Sequence, residues 1–283
     1  MFRRDLLAIV RPSPSDTGGL VYAGGIGADG TIVGGKARSP TSGEIYEVRD
    51  GYLDVLKSRL GAANVANLTN YLPGAGQAYE PLWRVHSLTL LTGEPFPTDR
   101  ELQIISDLVS LQRGGRYLDL GCSSGLYTRN LARALDDRGE VIGIDISPSM
   151  LKEAARRARK TGVKPSFARA DAHSLPFADE GFSGAVCGGT LNELANPASA
   201  LRETSRLLEP GGRLAVMGIL RTGSSGGRRL QRFLSIGGVR FFDPEEVRSL
   251  LDHAGLDPDP LRTYGLVFFA GATRREPGRS LRR

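Results

Sequence analysis

The stretch from Tyr117 to Ala132, "YLDLGCSSGLYTRNLA", decides the fold. Its first residues, "YLDLG", form a short apolar run that ends in glycine and predict a strand, and "LYTRNLA" has helical spacing. A turn that joins a strand to a helix places the helix N-terminus at the carboxyl end of the strand, where α/β proteins bind nucleotide-like ligands. The stretch therefore predicts the binding site of an α/β protein.

Strand and helix patterns alternate after this stretch. The predicted strands are "EVIGIDIS", "PSFARADA", "FSGAVCGG", "RLAVMGIL" and a final pair in "DPLRTYGLVFFAGAT". The predicted helices are "SMLKEAARRARKTG", which Ser147 and Pro148 open, "ASALRETSRLLEP", which Pro210-Gly211-Gly212 closes, and "EEVRSLLDHAG", which Asp243 and Pro244 open. "RTGSSGGRRLQRFLSIGGVRF" predicts a loop-rich insert. This alternation predicts an α/β fold with a doubly wound, mostly parallel sheet.

The residues before Tyr117 have other patterns. Residues 1–60 combine short apolar runs with Gly, Pro, Ser and Thr, and predict a small, turn-rich β unit. Residues 61–113 predict a helical lid or linker whose last helix, "DRELQIISDLVSLQ", has Asp99 as a plausible N-cap. The ligand-binding domain then covers residues 114–273, and residues 274–283 form a basic tail.

Charge and composition exclude some classes of protein. The net charge is +6, but the arginine-rich end "TRREPGRSLRR" supplies most of it, so the sequence does not predict a basic face for nucleic acid. No window reaches the roughly 18 consecutive apolar residues that span a bilayer. "LLAIV" is short for a signal-peptide core, and the two cysteines, Cys122 and Cys187, fall in core patterns that predict buried thiols. We expect a cytoplasmic protein.

The glycine spacing of the turn indicates which ligand it holds. Gly121 and Gly125 are separated by three residues with Ser123 in the middle, unlike the G-x-G-x-x-G turn of dinucleotide-binding proteins. Asp119 precedes Gly121 by two residues, and a carboxylate there would repel a pyrophosphate and favour a cationic ligand such as S-adenosylmethionine (SAM). Asp145 ends the next strand and can accept from ribose hydroxyls, and Asp171 ends the third and can accept from an adenine amine.

These motifs together resemble class I SAM-dependent methyltransferases, over about residues 100–273. The UbiE-like (methyltransferase type 11) branch is the most similar, through "YLDLGCSSGLYTRNLA", "VIGIDISPSML", "ARADAHSLPFAD", "FSGAVCGGTLNEL" and "ALRETSRLLEPGGRLAV". The resemblance implies a seven-stranded Rossmann-like sheet and S-adenosylhomocysteine as the product. The cofactor contacts that it implies are Asp119, Gly121, Cys122, Ser123, Gly125, Asp145, Ile146, Met150, Asp171, Ala172 and Gly188. Ser123 departs from the family, which usually has glycine there.

The N-terminal unit has a resemblance of its own. Residues 8–56 are similar to the zinc-ribbon head that precedes some methyltransferase domains, and "YEVRDGYLDV" matches the tail of that head. The family's two Cys-x-x-Cys pairs are replaced by "PSPSDTGG" and "SPTSG". Hydroxyl oxygens do not hold structural zinc as thiolates do, so we expect the ribbon shape without metal.

Four residues are candidates for chemistry on the acceptor. His86 is a candidate base, or a packed histidine, in the segment expected to cover the cofactor. Tyr79, with Trp83 four residues later, is a candidate wall of an acceptor pocket or part of the core. Asn192 and Glu193 follow the fourth strand, close to where the family's acceptor binds, or cap a helix.

The remaining histidines and an arginine cluster favour structural roles. His173 is expected beside the adenine site or on the surface, and His253 at a helix C-terminus. Arg228, Arg229 and Arg232 lie in the predicted insert, where they either recognise an acidic acceptor or form a solvated face.

Three functions remain open at this stage. The first is methyl transfer to an oxygen or carbon of a small-molecule acceptor such as a quinol or phenol. The second is methylation of a base in ribosomal or transfer RNA, which the absent cysteines and the absence of "[DN]-P-P-[FY]" at "GGTLNE" disfavour. The third is a non-catalytic SAM-binding partner protein.

Overall fold

The computed structural model describes residues 2–13, 15–27, 29–32, 34–56, 85–111 and 114–276, and for residues 85–87 it describes the backbone only. The strands are β1 (Phe2–Arg3), β2 (Val21–Ala23), β3 (Thr31–Ile32), β4 (Gly35–Arg38), β5 (Ile45–Arg49), β6 (Tyr52–Asp54), β7 (Arg116–Leu120), β8 (Glu140–Asp145), β9 (Ser166–Arg169), β10 (Phe182–Gly188), β11 (Leu208–Ile219), β12 (Leu256–Pro258), β13 (Arg262–Tyr264) and β14 (Val267–Arg274). The α-helices are α1 (Val85–Thr92), α2 (Thr98–Val109), α3 (Leu126–Leu135), α4 (Pro148–Thr161), α5 (Pro197–Leu207), α6 (Ser225–Ile236) and α7 (Pro244–His253). Two short 3-10 helices cover Arg4–Ile9 and Thr190–Glu193.

The predicted parallel sheet is confirmed. Its strands run in the order β9-β8-β7-β10-β11-β14-β12, in which the first five are parallel and β14 is antiparallel to both β11 and β12. The connection direction reverses between β7 and β10, so the carboxyl ends of these two strands open a crevice. Such a topological switch point is where doubly wound sheets bind their ligands.

The N-terminal strands extend this same sheet. β6 pairs in parallel with β9, Leu53 beside Ala168 and Asp54 beside Arg169, and β5, β4 and β2 continue outward as an antiparallel meander. Phe2 and Leu6 are fully buried in the cluster that also holds Ala170 and Phe177 of the methyltransferase-like half. The two halves therefore share one core, while the predicted boundary at residue 60 lies outside the described residues.

Helix ends follow the sequence with two exceptions. Ser147 caps α4 by accepting from the Met150 N–H at 3.4 Å, and Pro148 takes the first helical position. The expectation that Asp99 caps α2 is wrong, because Pro97 occupies the N-cap and Asp99 lies inside the first turn. The helix expected to run to Pro210 ends at Leu207, since Leu208 already pairs with Phe182 in the sheet.

The predicted loop-rich insert is also wrong. Residues Ser225–Ile236 form α6, which Ser224 caps by accepting from the Gly227 N–H at 3.2 Å. Glycine-rich ends had masked the helical spacing between them. No described helix is long and apolar enough to cross a membrane. Within the described ranges, no three His, Cys, Asp or Glu side chains come together as a metal site would require.

Candidate cofactor cleft

Every second residue of the turn after β7 has a left-handed backbone conformation, with positive φ. Gly121, Ser123 and Gly125 have φ values of 69°, 49° and 79°, a region that glycine enters freely and other residues enter at a cost. Space is also restricted, because a Cβ atom on Gly121 would lie 2.3 Å from the Thr190 Oγ1 atom. The Thr190 hydroxyl donates to the Gly121 carbonyl at 3.1 Å and so joins the turn to the end of β10.

Gly188, at the end of β10, provides room for an aromatic wall. A Cβ atom on Gly188 would lie 1.6 Å from the Cε2 atom of Tyr127. The Tyr127 ring is buried, and its hydroxyl donates to Glu101 of α2. The ring is therefore fixed at both ends and lies directly against the strand.

Asp145, at the end of β8, holds the turn from the other side. Its Oδ2 atom accepts from the Ser123 N–H at 2.9 Å, and its Oδ1 atom accepts from the Ser147 N–H at 2.8 Å. Burial raises the pKa of Asp145, and the backbone N–H donors of Ser147 and Ser123 oppose that rise. A carboxylate has about four lone-pair positions, so acceptor capacity remains on both oxygens.

A cleft lies between these elements at the switch point of the sheet. The space between these elements, including the open mouth, is about 970 Å³. The lining residues are Gly121, Cys122, Ser123, Ser124, Leu126, Tyr127, Ile144, Asp145, Ile146, Ser147, Ala170, Ala172, Gly188, Gly189, Thr190, Glu193 and Leu194.

The cleft is acidic. Asp145 and Glu193 carry the only charges among its described lining residues, which include no Lys, Arg or His. Burial raises the pKa of Glu193 to about 7, and repulsion from the nearby Asp145 carboxylate adds to the rise. A pyrophosphate would meet two carboxyl groups and no cation here, whereas a ligand that carries an ammonium or sulfonium group fits the charge.

Seven of the predicted cofactor positions line this cleft. They are Gly121, Cys122, Ser123, Asp145, Ile146, Ala172 and Gly188. Of the candidate catalytic residues, Glu193 lines it as well. Of the three carboxylates that sequence reasoning assigned to the cofactor, only Asp145 lines the cleft, and Glu193 supplies the second acidic group.

Asp119 lies beneath the turn instead of in the cleft. It is 1% exposed, and its Oδ2 atom accepts from the Thr128 N–H at 2.9 Å and from the Thr128 hydroxyl at 2.5 Å. The predicted direct contact with a cofactor is corrected accordingly, because this carboxylate anchors the first turn of α3. Met150 likewise lies behind the wall, where its sulfur accepts from the Ser123 hydroxyl at 3.5 Å. Gly125 is the N-cap of α3 and packs against α4.

Asp171 stands next to the cleft wall but is not part of it. Its Oδ1 atom accepts from the His173 N–H at 2.9 Å and lies 2.7 Å from the His173 Nδ1 atom. Its neighbours Ala170 and Ala172 line the cleft. The expected adenine contact of Asp171 stays a prediction, and His173 lies in this outer turn, with its ring bonded to the Asn196 N–H at 3.3 Å.

Asn192 is corrected from a candidate catalytic residue to a structural one. Its amide donates to the Ile219 carbonyl at 3.0 Å and to the Arg240 carbonyl at 2.6 Å, and its oxygen accepts from the Ile219 N–H at 2.9 Å. These bonds use the whole side chain to tie β11 to the loop after α6. His86 lies on α1 with its side chain outside the description, and Tyr79 and Trp83 lie outside the described residues.

Sequence reasoning did not single out nine residues of the wall. Three of them, Tyr127, Thr190 and Leu194, lie inside the motifs quoted above but were not assigned a role. The signal for Thr190 was its position directly after "CGG", where the chain leaves the carboxyl end of β10. Tyr127 follows the glycine turn by two residues and points back across it.

Comparison with known proteins agrees with this geometry. Residues 118–216 match the family model described as a methyltransferase domain. This range is similar in sequence to methyltransferases of the UbiE-like branch. Every lining residue of the described cleft lies inside this range.

Two curated relatives and one solved structure illustrate the likeness. The chain is 35% identical over 117 residues to the ubiquinone/menaquinone biosynthesis C-methyltransferase UbiE of Photorhabdus laumondii, covering 41% of this chain and 47% of that protein. It is 36% identical over 115 residues to the 2-phytyl-1,4-naphtoquinone methyltransferase of Thermosynechococcus vestitus, covering 41% of this chain and 51% of the relative. The chain thus spans about half the length of the curated relatives it matches.

The solved structure shows the fold. Phosphoethanolamine N-methyltransferase 2 of Haemonchus contortus, in complex with phosphomonomethylethanolamine and S-adenosylhomocysteine, superposes with a TM-score of 0.61. The identity is 16%, and the match covers 77% of this chain and 61% of that one. The Rossmann-like methyltransferase fold expected from the sequence is therefore confirmed.

Proposed function

We propose that this protein transfers a methyl group from SAM to an oxygen or carbon of a small-molecule acceptor, with a quinol or phenol as the acceptor class. The observation that carries the proposal is the charge of the cleft, where Asp145 and Glu193 face a methyltransferase-fold switch point that has no basic residue among its described lining. This environment suits a cationic methyl donor and a neutral acceptor.

The residues present fit SAM, which supplies an electrophilic methyl group on a sulfonium when it is bound. Asp145 would accept from the ribose hydroxyls through the lone pairs that Ser123 and Ser147 leave available. The bare backbone of Gly121 and Gly188 keeps the cleft open, since a side chain at either position would collide with Thr190 or Tyr127.

Glu193 would act as the general base. A pKa of about 7 leaves much of the group ionised near neutral pH and still basic enough to accept a proton. The proton of a phenolic hydroxyl would move to the Glu193 carboxylate, and the resulting phenolate is nucleophilic at its oxygen and at the ring carbons beside it. His86 and Tyr79 stay predictions for the acceptor side of the site.

The names of the relatives support the acceptor class. UbiE of Photorhabdus laumondii is named as a C-methyltransferase of ubiquinone and menaquinone biosynthesis, and the Thermosynechococcus vestitus relative as a methyltransferase of a naphthoquinone. A reduced quinone is a phenol, so the proposed base chemistry applies to it directly.

Two measurements test the proposal. Calorimetry should show that Asp145→Ala weakens SAM binding by at least about 1.5 kcal/mol, because hydrogen bonds to a charged group contribute roughly that much each. The SAM affinity of Asp145→Asn, which retains a carbonyl acceptor, should lie between those of the unaltered protein and Asp145→Ala. Because Asp145 also holds the turn, a melting curve of each variant must accompany the binding data.

The second measurement follows methyl-labelled SAM with reduced 2-phytyl-1,4-naphthoquinone, and separately with a cell extract. Glu193→Gln should lower transfer at least a hundredfold, within the range of general-base effects, and should weaken SAM binding less than Asp145→Ala does. The exposed Glu245→Gln is the matched control and should change neither. Label that appears only in RNA would overturn the proposed acceptor class. Absence of SAM binding would overturn the proposed methyltransferase activity.

A further inference from the structure

Helix α6 exposes its apolar residues and buries a polar one. Gln231 is the buried side chain of the helix. The large apolar side chains are exposed, by 60% at Leu230, 70% at Phe233, 39% at Leu234 and 81% at Ile236. A surface helix of a globular protein ordinarily turns its apolar stripe to the core, so α6 is oriented the opposite way.

Hydrogen bonds at the end of β11 fix that orientation. The Gln231 amide donates to the Leu220 carbonyl at 2.9 Å, and its oxygen accepts from the Thr222 N–H at 3.0 Å. Rotation of α6 that buried Leu230 or Phe233 would break both bonds and leave a buried amide without them. The outward apolar face is thus built into the structure.

The same helix is strongly basic. Arg228, Arg229 and Arg232 are exposed, and residues 225–236 contain no Asp or Glu. Successive residues of a helix are rotated by about 100°, which places Phe233 opposite the buried Gln231, with Leu230 on one side of it and Ile236 on the other. Arg229 lies between Phe233 and Ile236, and Arg228 and Arg232 lie beyond Ile236. No ion pair joins these arginines to another described part of the chain.

The exposed face lies beside the cofactor cleft. Leu194 lines the cleft and also a groove that Ser235 and Gly238 border at the end of α6. Backbone hydrogen bonds run from Leu220 to Leu266 at 2.7 Å and from Leu266 to Leu91 of α1 at 2.9 Å. Leu90, which precedes Leu91 in α1, is 83% exposed and adds another apolar side chain at this edge of the sheet.

We propose that α6 docks this protein on the surface of an anionic lipid bilayer. The outward side centred on Phe233, with Leu230 and Ile236 beside it, would enter the interfacial region, and the adjoining arginines would bind the lipid phosphates. A basic helix that exposes large apolar side chains is the arrangement that binds in the plane of a membrane. Positive charge without a compensating acid selects an anionic surface.

This inference goes beyond the proposed methyl transfer and does not depend on the acceptor. The full chain is floated with vesicles of about equal parts phosphatidylglycerol and phosphatidylcholine, and with phosphatidylcholine alone. We expect binding to the anionic vesicles and its loss at about 0.5 M NaCl, which screens charges beyond roughly 4 Å.

Two variants separate the parts of the surface. The triple variant Arg228→Gln, Arg229→Gln and Arg232→Gln should weaken partitioning by about a hundredfold, since each basic residue near an anionic surface contributes about fivefold. The double variant Phe233→Ser and Ile236→Ser should weaken it by about tenfold or more through lost apolar burial. All of these side chains are exposed, and unchanged melting curves will verify folding.

Matched controls lie elsewhere on the surface. Val21→Ser with Ile45→Ser removes two exposed apolar side chains of the N-terminal strands, and Arg202→Gln with Arg248→Gln and Arg262→Gln removes three exposed arginines. Both sets should bind vesicles within about twofold of the unaltered protein.

Several outcomes would overturn the proposal. They are no binding to anionic vesicles, binding that the α6 variants leave intact, or equal losses in the control variants. A dimer in sedimentation that Phe233→Ser and Ile236→Ser dissociate would assign the face to a second copy of this chain. The assay contains neither SAM nor an acceptor, so its failure is distinguishable from failure of the proposed methyl transfer.

Discussion

The cleft and the N-terminal half are both rich in glycine, and crowded glycines in the cleft contrast with open ones in the N-terminal turns, although Gly19 and Gly35 of that half are crowded too. A Cβ atom on Gly121 or Gly188 would collide with a neighbouring side chain, whereas Gly18 and Gly25 have nothing within 4 Å of that position. In the cleft, glycine is required by the packing of Thr190 and Tyr127. At Gly18 and Gly25 the space would admit a side chain. Composition alone does not distinguish the two uses.

Gly188→Ala should give the largest effect of any single change considered. The new methyl group would overlap the Tyr127 ring, whose hydroxyl is held by Glu101. We expect a loss of more than about 3 kcal/mol of stability, above the usual cost of overpacking, and a fall in melting temperature of roughly 6–12 °C. Gly25→Ala is the control, and a comparable loss there would remove the distinction between the two regions.

The junction between the two regions offers the next test. Arg169 of β9 is buried, its Nη1 atom lies 3.4 Å from Asp54 of β6, and its Nε donates to the Ile146 carbonyl at 3.0 Å. Arg169→Met should cost about 3 kcal/mol because it leaves the buried Asp54 carboxylate with less compensation. Urea denaturation measures the change.

Arg49 provides the matched control for that junction. It also pairs with Asp54, at 2.8 Å, but its side chain is 52% exposed. Arg49→Gln should therefore cost less than about 1 kcal/mol. Equal costs for the two arginines would mean that burial does not set the strength of this contact.

The acidity of the cleft should appear in the pH dependence of stability. Because the folded pKa of Glu193 is about 7 and the unfolded value is near 4.5, the folded protein favours the protonated form. Stability should then fall as pH rises through this window, and Glu193→Gln should remove the fall. The difference in free energy of unfolding between Glu193→Gln and the unaltered protein should be about 2 kcal/mol more favourable to the variant at pH 8 than at pH 5. A pH-independent difference would place the pKa of Glu193 outside this window.

The smallest effect concerns the serine that departs from the family pattern. Ser123 has a φ of 49°, so Ser123→Gly should relieve backbone strain and raise stability by about 0.5 kcal/mol after the entropy cost of glycine. Ser124→Gly, at a neighbouring position that does not have positive φ, should instead lower stability by about 1 kcal/mol. If the melting temperature rises in Ser123→Gly and falls in Ser124→Gly, the result supports backbone strain at Ser123. Shifts in the same direction would contradict it.

The sequence predicted the sheet and most of the cleft because these depend on local patterns. Strand ends and glycine spacing identified Gly121, Ser123 and Asp145, and the structure places all three on the cleft wall. The pattern could not say which way a carboxylate points. Asp119 turns to the N-terminus of α3, and that choice depends on Thr128, which only the folded turn brings near.

Two other features depended on contacts between residues far apart in the chain. Pairing of β6 with β9 joins Leu53 to Ala168, and no local signal in either segment specifies the partner. Helix α6 was predicted as a loop because glycines flank it and because its apolar residues do not face the core. Helical spacing was present in "RRLQRFLSI", but the flanking glycines favoured a loop.

The parallel pairing of β6 with β9 has a consequence for folding during synthesis. Asp54 and Arg169 are separated by 115 positions in the chain. At about 5–20 residues per second, the N-terminal strands wait roughly 6–23 s on the ribosome before their partner strand emerges. During that interval Tyr52 and Leu53, buried in the finished protein, have no β9 to cover them. The first strands made are thus among the last to reach their final contacts. A chaperone that binds nascent chains would therefore need to cover this end of the molecule for the longest time.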